Sequence, residues 1–219
     1  MTASQRLAPA EAGLQQLLLR VILSEAAAGH SRGSDMKLTG KLLIAMPGIG
    51  DPRFDNSVVF LCSHGQEGAM GLIVNKLAPG VVLKSLFDQL DITSKPAAAT
   101  EPVYFGGPVE TQRGFVLHSD EYISTVNSLP VCPGLSMTAT LDVLEDIAEG
   151  RGPERYLVML GYAGWGPGQL EDEIAQNGWL TADTEPDMVF TDLADGKWEA
   201  ALASLGVTPL NLSMDAGRA

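Results

Sequence analysis

Short apolar runs bounded by glycine and proline fill the chain after Met36, and that spacing predicts strands. Leu42–Met46 runs into Pro47-Gly48, and Ser57–Cys62 follows Asp51-Pro52. Met70–Val74 comes next across a turn holding Gly65 and Gly68, which predicts a hairpin with the strand before it. Val103–Phe105 and Gly114–His118 read as another pair around Gly106-Gly107-Pro108. Arg155–Leu160 predicts a further strand ending in a glycine-rich turn, and Met188–Thr191 a last one. Leu83, Leu86, Phe87 and Leu90 repeat at helical spacing, as do Leu141, Leu144, Ile147 and Ala148 before Gly150. Two more helices are predicted, one from about Gln169 and one over Ala194–Leu205. Strands that cluster without regular βαβ alternation define an α+β class.

The first 35 residues follow another pattern. Leu14, Leu17, Leu18, Val21 and Ile22 form one apolar stripe at helical spacing, and a polar His-Ser-Arg-Gly-Ser-Asp segment follows Gly29. The expected organisation is an N-terminal extension over residues 1–35, with an amphipathic helix and linker, ahead of a single domain over 36–219. Met36, which opens the well-patterned region, is an alternative translation start.

Charge narrows the range of partners. The 219 residues carry 14 Lys and Arg against 27 Asp and Glu, a net charge of −13. Residues 140–219 alone contribute −11, and no basic cluster offsets them. A duplex-binding surface needs clustered cations to neutralise phosphates, so direct nucleic-acid binding is disfavoured. With 45% apolar and 19% charged residues the composition is globular. No apolar run approaches the ~18–20 residues of a membrane span. Two cysteines, Cys62 and Cys132, are too few for a disulfide scaffold, and no secretory signal is apparent, so a cytoplasmic protein is expected.

Catalytic chemistry finds little support. The segment Gly161-Tyr-Ala-Gly-Trp-Gly-Pro-Gly168 resembles a phosphate-cradling loop, but it lacks the Lys-Ser/Thr of a P-loop and the GxGxxG spacing. Glu171, Asp172 and Glu173 suit the first turn of the following helix and would repel an anion there. Cys62, His64, His118 and Cys132 would make four soft zinc ligands only if the fold gathered them, and nothing in their spacing requires it. His64 or His118 could act as a base towards Ser57, Ser63 or Ser119, but no nucleophile elbow or HExxH motif accompanies them. The expectation is no cofactor, no metal and no catalytic residue. Pro47-Gly-Ile-Gly-Asp-Pro-Arg-Phe54 is a rigid, shaped loop that holds Asp51 and Arg53 in fixed positions, which suits contact with a ligand.

Four blocks in order resemble the bacterial YqgE/AlgH family. They are Leu38–Pro47 with Asp51-Pro-Arg-Phe54; Leu61-Cys-Ser-His64 with Glu67–Asn75; Val103–Val109 with Arg113–His118; and Gly161–Trp165 through Gln169 to Asn177–Leu180. The resemblance runs from Leu38 to about Gly206, and Lys76 departs from it where the family pattern often continues Arg-Pro. It implies a mostly antiparallel, bifurcated and partly barrel-like sheet surrounded by helices. One branch of the family carries the label of a transcriptional regulator. Asp51, Arg53, Asn75, Arg113, Tyr162, Trp165 and Gln169 are polar or aromatic and fall at loops and strand ends, which makes them the candidate binding surface. A non-enzymatic binding or regulatory protein with an unknown protein or small-molecule partner is the leading expectation. An indirect transcriptional regulator and an enzyme using His64 or His118 are the alternatives.

Overall fold

The computed structural model describes residues 37–191, 194, 196–209 and 212. The predicted N-terminal helix and its linker lie outside the described residues. The first half comprises β1 (Leu42–Ala45), a 3-10 turn (Pro52–Phe54), β2 (Val58–Gly65), β3 (Gly68–Ile73), β4 (Leu77–Val82), α1 (Leu83–Gln89), α2 (Pro96–Ala99), β5 (Pro102–Phe105) and β6 (Val109–His118). The second half comprises β7 (Leu129–Cys132), β8 (Leu135–Thr138), α3 (Leu141–Glu149), β9 (Tyr156–Trp165), α4 (Gln169–Ala175), β10 (Trp179–Ala182), α5 (Pro186–Phe190) and α6 (Lys197–Ser204).

The α+β class is observed. The main path of the sheet runs β10-β1-β2-β3-β9-β6-β8-β7, with antiparallel pairing throughout. The expected barrel-like closure is not present among the described residues, because the path ends at β10 on one side and β7 on the other. The sheet forks at β9. Residues Val158–Leu160 run parallel to β5, Ala163–Trp165 pair with β3, and β6 takes the other edge.

Two backbones cross where the fork opens, which explains the glycines there. A Cβ on Gly107 would lie 2.1 Å from the Tyr162 carbonyl carbon, and one on Gly161 would lie 2.3 Å from Gly107 O. Gly161 also has a φ of +73°, a left-handed value that costs glycine little. The glycine-rich segment is therefore not a turn from Gly161. It continues β9 as far as Trp165.

Other expectations shift as well. Residues 188–191 do not form the last strand, because Pro186 at the first helical position starts α5. The last strand is β10, and β4, β7 and β8 add to the predicted set. Two apolar clusters pack this framework. Leu83, Phe87, Val143 and Ile147 from the helices cover Val103, Val116 and Val158 of the sheet. Leu43, Val59, Leu61 and Ile73 form the other cluster with Ala163, Trp165, Leu170 and Trp179.

Candidate functional site

The Asp51–Phe54 turn is built by its own sequence. Pro52 has the φ a first helical residue needs, and Asp51 caps the turn by accepting from Arg53 N at 3.0 Å. The same carboxylate takes Arg53 Nε at 3.0 Å and Nη2 at 2.7 Å, a two-pronged ion pair. These side-chain and backbone hydrogen bonds from Arg53 hold the Asp51 carboxyl below its ordinary pKa.

Three further contacts anchor the turn. Phe54 packs edge-on against Trp179, with ring centroids 5.6 Å apart, and lies 6.5 Å from Trp165. Asn75 Oδ1 accepts from Val58 N at 2.8 Å while its Nδ2 donates to Asn56 O at 2.8 Å, so one side chain joins the end of β3 to the start of β2. Lys76 Nζ donates to Arg53 O at 2.8 Å, and partial burial lowers its pKa.

Behind Phe54 a single carboxylate fixes both indoles. Glu173 Oε2 accepts from Trp165 Nε1 at 2.9 Å and from Trp179 Nε1 at 2.8 Å. Gln169 Nε2 donates to Glu173 Oε1 at 2.9 Å, and Gln169 Oε1 accepts from Gly166 N at 3.0 Å. Asn75 and Lys76 line a cleft of about 220 Å³ together with Asp55, Asn56, Ala194, Trp198 and Glu199. Trp198 is held by its Nε1 donating to Ala45 O at 2.9 Å, and the neighbouring Lys197 donates from its buried Nζ to the carbonyls of Val74 and Val189.

The seven candidate residues fall into two groups. In one, Asp51 and Arg53 pair in the turn, Asn75 ties the backbone just beyond it, and Trp165 and Gln169 meet at Glu173 behind Phe54. Arg113 and Tyr162 belong to another. Arg113 donates to Glu110 Oε2 at 2.8 Å and lies 5.8 Å from the centroid of the Phe115 ring, against which Tyr162 packs edge-on. Burial raises the Tyr162 pKa. Tyr162 and Trp165 are three residues apart on one strand, so side-chain alternation directs them to opposite faces. Lys76, Trp198 and Glu199 line the cleft but were not among the candidates. The one signal in the sequence was Lys76, where the chain departs from the family pattern.

The other titratable candidates are separately engaged. His64 Nε2 lies 2.8 Å from Glu171 Oε1. His118 Nδ1 donates to Ser119 O at 2.8 Å, which leaves Nε2 to accept from Thr138 Oγ1 at 2.9 Å, and burial lowers its pKa. The Ser119 hydroxyl is directed to Glu121 and Arg155 O, and the buried Ser57 hydroxyl has no hydrogen-bond partner among the described residues. Burial, followed by the neighbouring Cys132, pushes the Cys62 thiol far up. Among the described residues, no group of three or more His, Cys, Asp or Glu side chains could hold a metal ion.

This framework has known counterparts. The AlgH-like family model (DUF179) matches residues 42–210. A UPF0301 protein of Ruegeria pomeroyi is 63% identical over 185 residues, which is 84% of this chain and all of that protein. The solution structure of the AlgH protein from Pseudomonas aeruginosa is similar at a TM-score of 0.70 and 41% identity, over 87% of this chain and all of that one. A Corynebacterium diphtheriae crystal structure shares the fold at a TM-score of 0.64 and 21% identity, covering 84% of this chain and 93% of that one. The chain belongs to the AlgH-like family.

Proposed function

We propose that this chain is a cytosolic, non-enzymatic binding protein of regulatory type, and that its ligand seats in the cleft between Asn75, Lys76, Trp198 and Glu199. The observation that carries this reading is the fixing of the cleft walls. Asn75, Lys76 and Trp198 are each tied by a side-chain hydrogen bond to the backbone of a different segment, so the walls are set before anything binds. Such preorganisation lowers the entropic cost of recognition. Lys76 shares the cleft lining with Asp55, Glu199 and Trp198, and the Asp55 and Asp51 carboxylates act on its charge. That arrangement favours a small molecule or peptide end carrying both charge signs next to an apolar group.

Regulation of transcription, on this reading, runs through such a ligand or a protein partner. The net charge of −13 opposes direct contact with DNA. Screening zwitterionic metabolites and short peptides by protein-observed NMR tests the proposal. The expected result is a ligand that shifts the resonances of Asn75, Lys76 and the Trp198 indole, and that is lost with Lys76→Glu while the fold is kept. A ligand bound with undiminished affinity by Lys76→Glu would sink the proposal.

A further inference from the structure

A second groove, sharing no lining residue with the cleft, runs along α3. It has a volume of about 520 Å³, and its lining includes Asp91, Asp142, Glu145, Asp146, Glu149 and Arg151. Four of these carboxylates lie on α3 at positions i, i+3, i+4 and i+7, while Val143, Leu144, Ile147 and Ala148 of the same helix are buried. Asp142 and Asp146 have structural partners, Asp142 in Ser124, Thr125 and Thr140 and Asp146 in Tyr122, but Glu145 lies four residues from the like-charged Glu149, a spacing that destabilises a helix. Arg151 offsets part of this charge through Asp146 at 2.9 Å and through Glu149. Asp91 and Glu145 make no ion pair among the described residues.

Exposed apolar side chains lie in the segments that line the groove. Leu90 lines it at 44% exposure, Leu141 precedes Asp142 at 45%, and Ile123 and Val126 flank the lining residue Thr125 at 83% and 64%. These are four of the seven large apolar side chains that the described residues leave exposed. Their loop is firmly held. Asp142 Oδ2 accepts from Ser124 Oγ at 2.6 Å, Thr125 N at 2.9 Å and Thr125 Oγ1 at 3.0 Å, and Ser124 Oγ accepts from the amides of Val126 and Asn127 at 3.1 Å. Ile123 and Val126 are thus presented to solvent by a fixed loop.

We infer that this groove docks a basic amphipathic helix of a partner protein, its apolar face on Leu90, Ile123, Val126 and Leu141 and its Lys or Arg side chains against Asp91, Glu145 and Glu149. Charge complementarity selects the occupant. Carboxylates lining a groove whose segments also expose Leu90, Ile123, Val126 and Leu141 match a helix that has apolar residues at i, i+3, i+4 and i+7 and flanking cations. A purely cationic ligand would leave these exposed apolar side chains uncovered, and a purely apolar one would leave the carboxylates unpaired.

NMR titration of the full chain with a synthetic leucine–lysine amphipathic peptide tests this, with a leucine–glutamate peptide and a non-amphipathic lysine peptide alongside. The expected result is resonance shifts confined to Leu90–Thr93, Ile123–Asn127 and α3. Ile123→Ser with Val126→Ser weakens binding about tenfold, and Glu145→Lys weakens it comparably. All three side chains are exposed, and unchanged circular dichroism confirms that the variants fold. The inference is overturned if the lysine peptide binds equally well, if the Ile123 and Val126 substitutions leave affinity unchanged, or if the shifts map elsewhere.

Discussion

Asn75 stands in for a strand at the start of β2. Its Oδ1 accepts the Val58 amide at 2.8 Å, and Val58 is wholly buried. Removing that acceptor would strand a buried N–H, which costs about 1–3 kcal/mol. Asn75→Ala is therefore expected to lower unfolding free energy in urea by about that amount. Asn75→Asp, which keeps the acceptor and loses the bond to Asn56 O, should lose less. Equal losses would show that the Val58 bond is not the important one.

Glu173 makes a similar prediction for the aromatic cluster. Glu173→Ala frees both indole N–H groups, and leaving buried donors unpaired costs on the order of 1–3 kcal/mol each. Intrinsic tryptophan fluorescence should shift to the red as Trp165 and Trp179 loosen, and the denaturation midpoint should fall. Unchanged emission would mean that packing against Phe54 alone holds the indoles.

His118 gives a pH dependence with a definite sign. Burial lowers its pKa from the ordinary 6.5, while hydrogen bonding to Ser119 opposes the shift only in part. Between the folded pKa and 6.5 the unfolded chain binds the extra proton, so stability rises with pH in that window and is lost as pH falls through it. Asp142 behaves separately at lower pH. Burial works against its ionisation, but hydrogen bonds from Ser124, Thr140 and Thr125 outweigh that and lower its pKa below 3.8, so its contribution disappears only on further acidification. Urea titrations at about pH 7 and about pH 5.5 should show the first loss, and a flat profile would contradict the His118 environment.

Gly161 and Gly107 should tolerate no side chain. A methyl group at either position overlaps backbone atoms within 2.3 Å, and Gly161 adds a left-handed φ. Alanine at either site is expected to cost more than about 3 kcal/mol, seen as a large fall in thermal midpoint or loss of soluble protein. Gly114→Ala, where a Cβ meets nothing within 4 Å, is the control and should change little.

Periodicity revealed elements whose residues repeat locally. Leu42–Met46 is a continuous apolar run stopped by Pro47-Gly48, Leu141–Ala148 recurs at helical spacing, and both give the expected element, a fully buried strand over Leu42–Ala45 and a helix over Leu141–Glu149. β4 was hidden because Pro79-Gly80 reads as a turn, and β7 because Pro130 interrupts a four-residue edge strand. Met188-Val-Phe-Thr191 has strand composition, yet Pro186 sets the first helical dihedral and the run winds into α5. The site was legible as chemistry rather than as geometry. Asp51 and Arg53 pair locally, as a rigid loop implies. The cleft, by contrast, brings Asn75 and Lys76 against Trp198 and Glu199 across most of the chain, and no local pattern encodes that approach. Arg113 and Tyr162 match Trp165 in residue type and in their place at strand ends, but strand parity turns Tyr162 away from Trp165, and Arg113 on β6 pairs with Glu110 beside Phe115.

The fork at β9 also bears on how the molecule is made. A ribosome releases β3, β5 and β6 before β9 exists, and each of those strands waits with an edge that only β9 can fill. Such distant pairings have high contact order and place folding in the millisecond-to-second range rather than among the fast helical folders. Until translation passes Trp165, the nascent chain carries three incomplete strand edges, the kind of surface on which aggregation starts and chaperones act.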